Sequence, residues 1–224
     1  MRTSSVNDCL QIFIHYQIDP SAGDAIDVGG TETVYLAESG NIDRNPLLKV
    51  NPRVKFLEQG FNLSRIGGRA DFILDFLDSE VVRKFNASFD IGFCFDTLEH
   101  ISDPFKFCEH LIDIVKPGGY VYIATVFQWP YHPSPEDYFR FTPAGLCECF
   151  SRGIKKSPNQ ATILWCDWES DSRGVGLLAC KGDRTILPKD PLILTTKNSS
   201  SKDGHPWILR KVRKWAKRWV RRIW

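Results

Sequence analysis

The 224-residue sequence lacks several features that would assign it to a special class of protein. It contains no uncharged apolar run approaching the ~18 residues that a membrane-spanning helix needs. Its seven cysteines include no CxxC pair and no cysteine–histidine spacing typical of a zinc site. Near the N-terminus, His15 and Gln17 interrupt the apolar residues and no small-residue cleavage site follows. These absences predict a cytoplasmic protein with reduced, mostly buried thiols, no secretion signal and no bound metal.

The composition is that of a soluble chain that can bury a core, with 42% hydrophobic and 25% charged residues, which excludes a disordered or fibrous protein. The length allows one complete domain and a short appendage. The net charge of +2 conceals an asymmetry, because residues 206–224 contain eight Lys and Arg and no acid, which leaves residues 1–205 at −6. We therefore expect a domain at 1–182, a linker at 183–206 and a separate basic segment at 207–224.

Apolar runs and helical periodicities alternate along the first 182 residues, which predicts an α/β fold with a mainly parallel sheet. The clearest strand is Phe89–Asp96, and the clearest helix opens at Asp103-Pro104 and ends at the KPGG of 116–119. No element is assigned to residues 31–53, because Pro46 and Pro52 would break a long helix. The other expected strands are 24–28, 54–62, 70–75, 120–127, 162–168 and 174–181, and the other expected helices are 78–85 and 142–150.

Three motifs carry a family resemblance. They are DVGG at 27–30, DTLEH at 96–100, and LIDIVKPGG at 111–119. With this spacing, residues 25–182 resemble a class I S-adenosylmethionine-dependent methyltransferase of the type 11 group. The loop WPYHPSPEDYFRFTPAGL at 129–146 is similar to loops of members associated with glycan and cell-surface pathways. The resemblance implies a Rossmann-like, seven-stranded sheet with helices on both faces and an antiparallel last strand.

By this resemblance, the cofactor S-adenosyl-L-methionine lies at the ends of the strands. Small residues at the turn after the first strand let a bulky cofactor approach the main chain. The family has further glycines where this sequence has Thr31 and Thr33; Thr31 either narrows the cleft or donates a hydrogen bond to the methionine moiety. Asn62 is the positional match for the ribose-binding acid, with Glu58 competing, and Asp75 matches the adenine contact or caps a helix. The predicted cofactor-binding residues are Asp27, Gly29, Gly30, Thr31, Asn62, Asp75, Asp96 and Thr97.

The Pro-rich loop supplies the predicted acceptor site. A sugar hydroxyl needs a base to remove its proton, and His132 is the candidate, with Asp137 close enough in sequence to orient it. Tyr131, Tyr138 and Arg140 are predicted to stack on and hydrogen-bond the substrate. The alternative for His132 is a histidine packed within its own loop. Outside the loop, Glu99 and His100 either hold the turn or cap the next helix, and His110 is expected to be solvated.

The tail from Trp207 to Trp224 has a helical pattern with two unlike sides. At about 100° per residue, the eight cations occupy the arc opposite to an apolar side. That apolar side contains Ile208, Val212, Trp215, Ala216, Trp219 and Ile223. The pattern is typical of an amphipathic helix lying in the surface of an anionic membrane. Docking on the acidic domain or on a protein partner is the next interpretation, and RNA binding is the last.

Two functions remain open at this point. The first is methyl transfer to a small-molecule, glycan or glycolipid-precursor acceptor at the inner membrane face. The second is a non-catalytic binding or scaffold protein on the same fold, suggested by the threonines in place of glycines. A nicotinamide oxidoreductase is disfavoured because no Gly-x-Gly-x-x-Gly follows the first strand.

Overall fold

The computed structural model describes residues 1–36, 39–59, 68–133, 135–155, 157, 160–183, 192 and 194. Within them the strands are β1 (Ala25–Val28), β2 (Thr33–Leu36), β3 (Asn41–Arg44), β4 (Lys55–Glu58), β5 (Phe72–Ile73), β6 (Phe89–Phe95), β7 (Val115–Val126), β8 (Ala161–Trp168) and β9 (Gly174–Lys181). The α-helices are α1 (Thr3–His15), α2 (Leu47–Val50), α3 (Ser79–Val82), α4 (Pro104–Asp113) and α5 (Pro143–Ile154). Single 3-10 turns lie at Arg83–Phe85 and Leu98–His100.

Seven of these strands form one sheet in the order β5-β4-β1-β6-β7-β9-β8. The first five are parallel, whereas β9 runs antiparallel to both β7 and β8. The predicted Rossmann-like fold is therefore confirmed for the described residues. The carboxyl ends of β1, β4, β6 and β7 meet at one edge, where open α/β sheets bind ligands.

Helix α1 covers one face of the sheet. Its buried Val6, Cys9, Ile12 and Phe13 form an apolar stripe that packs with Phe93, Tyr122 and Leu178 of the central strands. From the sequence, the apolar residues here indicate only a poor secretion signal, and the helix is not predicted. The start of α1 lies near the edge that carries the predicted site, because Arg2, the residue before the helix, bonds to Asp96 just after β6.

Helices α4 and α5 cover the other face. Asp103 caps α4, and Thr142 caps α5 by accepting a hydrogen bond from the Gly145 amide, each with proline in the first turn. The prediction that the KPGG segment ends α4 is wrong. The segment lies within β7, where the pairing with β6 shifts register. The expectation of a solvated His110 is wrong. This side chain is 5% exposed, and its ring nitrogens contact the Phe76 carbonyl at 2.6 Å and the Ser79 hydroxyl at 3.1 Å.

The connection between β1 and β4 contains a hairpin. Strands β2 and β3 pair only with each other, and the four-residue helix α2 follows them. Asn45 links the two parts: its amide group donates to the Thr31 carbonyl at 3.1 Å, and its Oδ1 accepts from the Leu47 amide at 3.0 Å. Pro46 and Pro52, which exclude a long helix here, lie on either side of the short helix α2.

All seven cysteines lie in the described part of the chain, and all are unbridged; five are buried, as predicted. A search of the described residues finds no helix with the length and apolar character needed to cross a bilayer. Residues 207–224 and Asn62 lie outside the described residues.

Candidate functional site

The turn after β1 is built from two glycines that have no room for a side chain. Gly29 has φ +100°, and a Cβ there would overlap with the Thr97 side chain. A Cβ at Gly30 would overlap with the Asp27 carboxylate. Glycine is therefore required at both positions, and the bare main chain turns at the carboxyl edge of the sheet.

Asp27 lies fully buried beneath this turn. Its Oδ2 accepts a hydrogen bond of 3.3 Å from Asn45, whereas Oδ1 has no partner. Burial raises the pKa of this carboxyl from 3.8 to about 7. Asp27 therefore packs against the turn at Gly30, and its contact with the cofactor stays a prediction.

Two threonines stand in place of the family's glycines. The Thr31 hydroxyl donates to the Thr33 carbonyl, and the Thr33 hydroxyl is buried without a partner. The hydrogen bond from Thr31 to the cofactor stays a prediction. A Cβ at Gly68 would crowd both threonine side chains, which shows that they pack against this glycine.

The second predicted group of cofactor contacts lies at the ends of the neighbouring strands. Glu58 is the last residue of β4 and is 8% exposed, in the position expected of a ribose-binding acid. Asp75 is exposed and accepts a 2.8 Å hydrogen bond from the Leu77 amide. It does not cap a helix, because Asp78 caps α3. The roles of these residues, and of Asn62, remain predictions.

Asp96, just after β6, forms a buried ion pair that the sequence did not predict. Its carboxylate accepts from the Arg2 guanidinium at 2.7 and 3.1 Å and from the Arg2 amide at 2.9 Å. Arg2, 1% exposed, also contacts Glu169 at 2.5 Å. Burial disfavours both charges of the Arg2–Asp96 pair, yet their attraction keeps the pKa of Arg2 above and that of Asp96 below the usual value. Asp96 thus anchors the start of α1, and its place in the cofactor pocket stays a prediction.

Glu99 connects the sheet edge to the Pro-rich loop. Its side chain is fully buried, its Oε2 accepts a 2.7 Å hydrogen bond from Thr125, and its Oε1 has no partner. Its main-chain carbonyl accepts from the amides of Tyr138 and Phe139. Burial, followed by the Asp96 charge, raises the pKa of Glu99 to about 7.

The structure brings the predicted pair His132 and Asp137 together. The His132 amide donates to Asp137 at 2.9 Å, and Nδ1 of the ring lies 3.1 Å from the same carboxylate oxygen. Arg140 donates to both oxygens of Asp137, at 2.6 Å for the longer of the two contacts, and lowers the pKa of this carboxyl to about 2. Asp137 therefore stays ionised and can hold the ring of His132 in place.

A third side chain, His100, completes the cluster. Its ring lies 4.8 Å from that of His132, in an edge-to-face arrangement. Nε2 of each histidine is 3.9 Å from Oε1 of Glu99. His100 thus adjoins the predicted base and does not merely cap a helix, and no signal in the linear sequence links it to a histidine 32 positions later.

The predicted substrate contacts divide into two kinds. Tyr131 and Tyr138 are 69% and 51% exposed on the loop and are available to a ligand. Arg140 instead donates within the loop, to Asp137 and to the carbonyls of Trp129 and Pro130. It positions the loop in this structure.

Comparison with known proteins finds one family match and one short stretch of high identity. Residues 30–123 match the family model of a methyltransferase domain. The match covers 94 of the 224 residues. In addition, 40 residues are 48% identical to a ubiquinone biosynthesis O-methyltransferase of Paraburkholderia phymatum. That match covers 18% of this chain and only 17% of the relative.

Solved structures of methyltransferases share the fold. An S-adenosylmethionine-dependent methyltransferase of Clostridium acetobutylicum aligns with a TM-score of 0.51 at 10% identity, over 80% of this chain and 92% of that one. A 1,6-didemethyltoxoflavin-N1-methyltransferase of Burkholderia thailandensis, solved with S-adenosylhomocysteine, gives 0.50 at 14% identity, over 81% and 79%. At these identities the solved structures show the shared fold, and the family match over 30–123 agrees with the methyltransferase class predicted from the sequence.

Proposed function

We propose that this chain transfers a methyl group from S-adenosylmethionine to a hydroxyl of a small-molecule, glycan or glycolipid-precursor acceptor. The proposal depends on two contacts that lie close together along the chain, one with the cofactor turn and one within the histidine cluster. The side chain of Thr97 packs against Gly29 of the cofactor turn, and two residues later Glu99 contacts the His132 ring. A methyl donor at the turn and an acceptor at the histidine would therefore be neighbours.

The residues at the end of β1 fit the cofactor. The Gly29-Gly30 turn presents main chain without side chains, and Glu58 at the end of the adjacent β4 is suited to bond ribose hydroxyls. When bound, the cofactor supplies an activated methyl group on its sulfonium. The protein then contributes mainly by aligning the acceptor and excluding water.

The acceptor's proton is taken up at the histidine cluster. Nδ1 of His132 faces the Pro130 carbonyl and Asp137, which leaves Nε2 to accept a proton. Asp137, fixed by Arg140, stabilises the imidazolium that results.

The exposed rings of Tyr131 and Tyr138 favour a glycan-type acceptor. Aromatic faces stack on the apolar faces of sugars, and a phenol hydroxyl adds a hydrogen-bonding group. Both rings are on the loop that holds His132. We place the reaction at the cytoplasmic membrane face because residues 207–224 combine cations with four tryptophans. Flotation of the full chain with anionic vesicles at low salt tests that location, and RNA binding without flotation would contradict it.

Isothermal titration with S-adenosylhomocysteine tests the proposed function directly. We expect binding by the full chain, with the affinity unchanged in Tyr131→Ala, because that ring is on the acceptor side. An absence of binding at millimolar ligand would instead support the scaffold function. The internal bonds of Thr31 and the Arg2–Asp96 pair are the observations in favour of that alternative.

A further inference from the structure

Three ligand-type atoms converge at the histidine cluster without a hydrogen bond between them. They are Oε1 of Glu99 and Nε2 of His100 and His132, and all lie within 4.8 Å of one another. Oε1 belongs to a fully buried carboxylate and has no partner. An unpaired oxygen of a buried carboxylate is costly, since it has lost its water and gained nothing in exchange.

The other polar atoms of the same three side chains are already bonded. Oε2 of Glu99 accepts from Thr125, and Nδ1 of His100 lies 2.6 Å from the Glu136 carbonyl. Nδ1 of His132 lies 3.0 Å from the Pro130 carbonyl. A carbonyl can only accept, so each Nδ1 carries the proton and each neutral ring directs the lone pair of Nε2 towards Glu99.

We propose that Glu99, His100 and His132 bind a divalent transition-metal ion of the zinc type. Two imidazoles and one carboxylate are the protein ligands of several catalytic zinc sites, and they leave a coordination position open. Imidazole ligands favour zinc or cobalt over magnesium. A metal with ligands at about 2.1 Å needs them about 3.4 Å apart in a tetrahedral site. The two 3.9 Å separations from Glu99, and the separation of at most 4.8 Å between the two histidines, therefore have to shorten by rotation of the rings.

The surroundings of the cluster resemble the outer shell of a metal site. Metal-binding histidines usually donate their second nitrogen to a carboxylate or a carbonyl, which fixes the ring. His132 has both partners, Asp137 and Pro130, and His100 has the Glu136 carbonyl. The sequence predicts no metal because these histidines are 32 residues apart, and the contacts of Glu99 and His100 with the Pro-rich loop bring them together.

The role of the ion, though not its binding, rests on the proposed function. A cation held by Nε2 prevents His132 from accepting a proton. An acceptor hydroxyl on the open position of the ion would instead lose its proton to solvent water, because the metal lowers its pKa. The resulting oxygen then takes the methyl group as the bond from carbon to the sulfonium breaks, and S-adenosylhomocysteine leaves.

Titration of the full chain with Co²⁺ and Zn²⁺, with Mg²⁺ as the comparison ion, tests the site. We expect one Co²⁺ per chain with visible d–d absorption and no thiolate charge-transfer band, since the cluster contains no cysteine. His132→Ala should weaken binding by at least ~100-fold, and Glu99→Gln, which keeps the shape of the buried side chain, should do the same. His15→Ala removes a histidine elsewhere and should bind as the unmodified chain does.

Each outcome of this titration is decisive. Binding that survives both His132→Ala and Glu99→Gln, or that shows the thiolate band, would place the metal elsewhere and overturn the proposal, as would no binding at all. Binding of Co²⁺ without binding of S-adenosylhomocysteine would leave the metal site standing and contradict the methyl-transfer function. The reverse result would remove the metal and retain His132 as the base.

Discussion

The two halves of the sheet edge use their polar groups differently. We call the turn at 27–30 and the hairpin after it the cofactor half, and the cluster of Glu99, His100, His132 and Asp137 the acceptor half. In the cofactor half, Thr31 and Asn45 bond to nearby main chain and to Asp27. In the acceptor half, Oε1 of Glu99 is buried without a partner, and Nε2 of each of two histidines lies 3.9 Å from it.

This contrast indicates that one half binds the cofactor and that the other half takes part in the reaction. In the cofactor half, Thr31 and Asn45 are bonded internally, and the groups without a partner, Oδ1 of Asp27 and the Thr33 hydroxyl, are buried. Such a half offers shape and main chain, which suits the holding of a large cofactor. A half with unsatisfied groups can still exchange a proton or hold an ion. Variants in the two halves should therefore change different measured quantities.

The largest effect is expected in the acceptor half. His132→Ala should lower the rate of methyl transfer by at least ~100-fold, because it removes the group that takes the acceptor's proton or holds the ion that replaces it. The affinity for S-adenosylhomocysteine should not change. Transfer of labelled methyl groups from S-adenosylmethionine into a fixed mixture of sugars and phenols measures the rate, and calorimetry measures the affinity.

His15→Ala is the matched control, since this histidine lies in α1 and contacts Tyr16. It should retain the full rate. Near-normal turnover in His132→Ala would exclude His132 from the mechanism and leave it as a residue packed in its loop.

In the cofactor half we expect a smaller effect, and on the affinity for the cofactor product instead of the rate. Gly30→Ala introduces a methyl group that overlaps with the Asp27 carboxylate, so the turn must shift. Overpacking of this kind costs about 1–3 kcal/mol, and we expect a 10- to 100-fold loss of S-adenosylhomocysteine affinity. Gly145→Ala, in the first turn of α5 with its Cβ 3.3 Å from the Thr142 hydroxyl, provides the control. Equal affinity in both variants would show that the turn does not hold the cofactor.

Most of the fold could be predicted because its signals are local. The apolar run at 89–96 and the Asp103-Pro104 cap each specify an element without reference to distant residues. Helix α1 is not predicted from the sequence, because its apolar residues can also be interpreted as part of a weak secretion signal. The KPGG segment was assigned to a helix end because its part in the pairing of β7 depends on β6.

The site was predictable only in part, for the same reason. His132 and Asp137 are five residues apart in one loop, and the structure joins them. The contacts of Asp96 with Arg2, and of Glu99 with His132, cross 94 and 33 positions of sequence, and no periodicity reports them. The chemistry was therefore recognisable from the loop, whereas the buried partners that define its electrostatics were not.

The smallest effect expected is a change in the pH dependence of stability that comes from Asp27 alone. Its pKa of about 7 in the folded protein exceeds the usual 3.8, so the folded state binds the extra proton. Stability from this group is complete below pH 4 and is lost as the pH rises through 7. Between pH 6 and 8 the free energy of unfolding should fall by about 1.4 kcal/mol on its account.

Asp27→Asn removes this titration while keeping the shape of the side chain. Glu99 and Glu169, with pKa values raised to about 7 and about 8, change stability in the same direction but are present in both proteins, so the difference isolates Asp27. Urea denaturation at pH 6, 7 and 8 should therefore show the variant gaining on the unmodified chain as the pH rises. Parallel curves would mean that Asp27 is ionised in the folded protein and that the cofactor half, like the acceptor half, contains an unsatisfied charge.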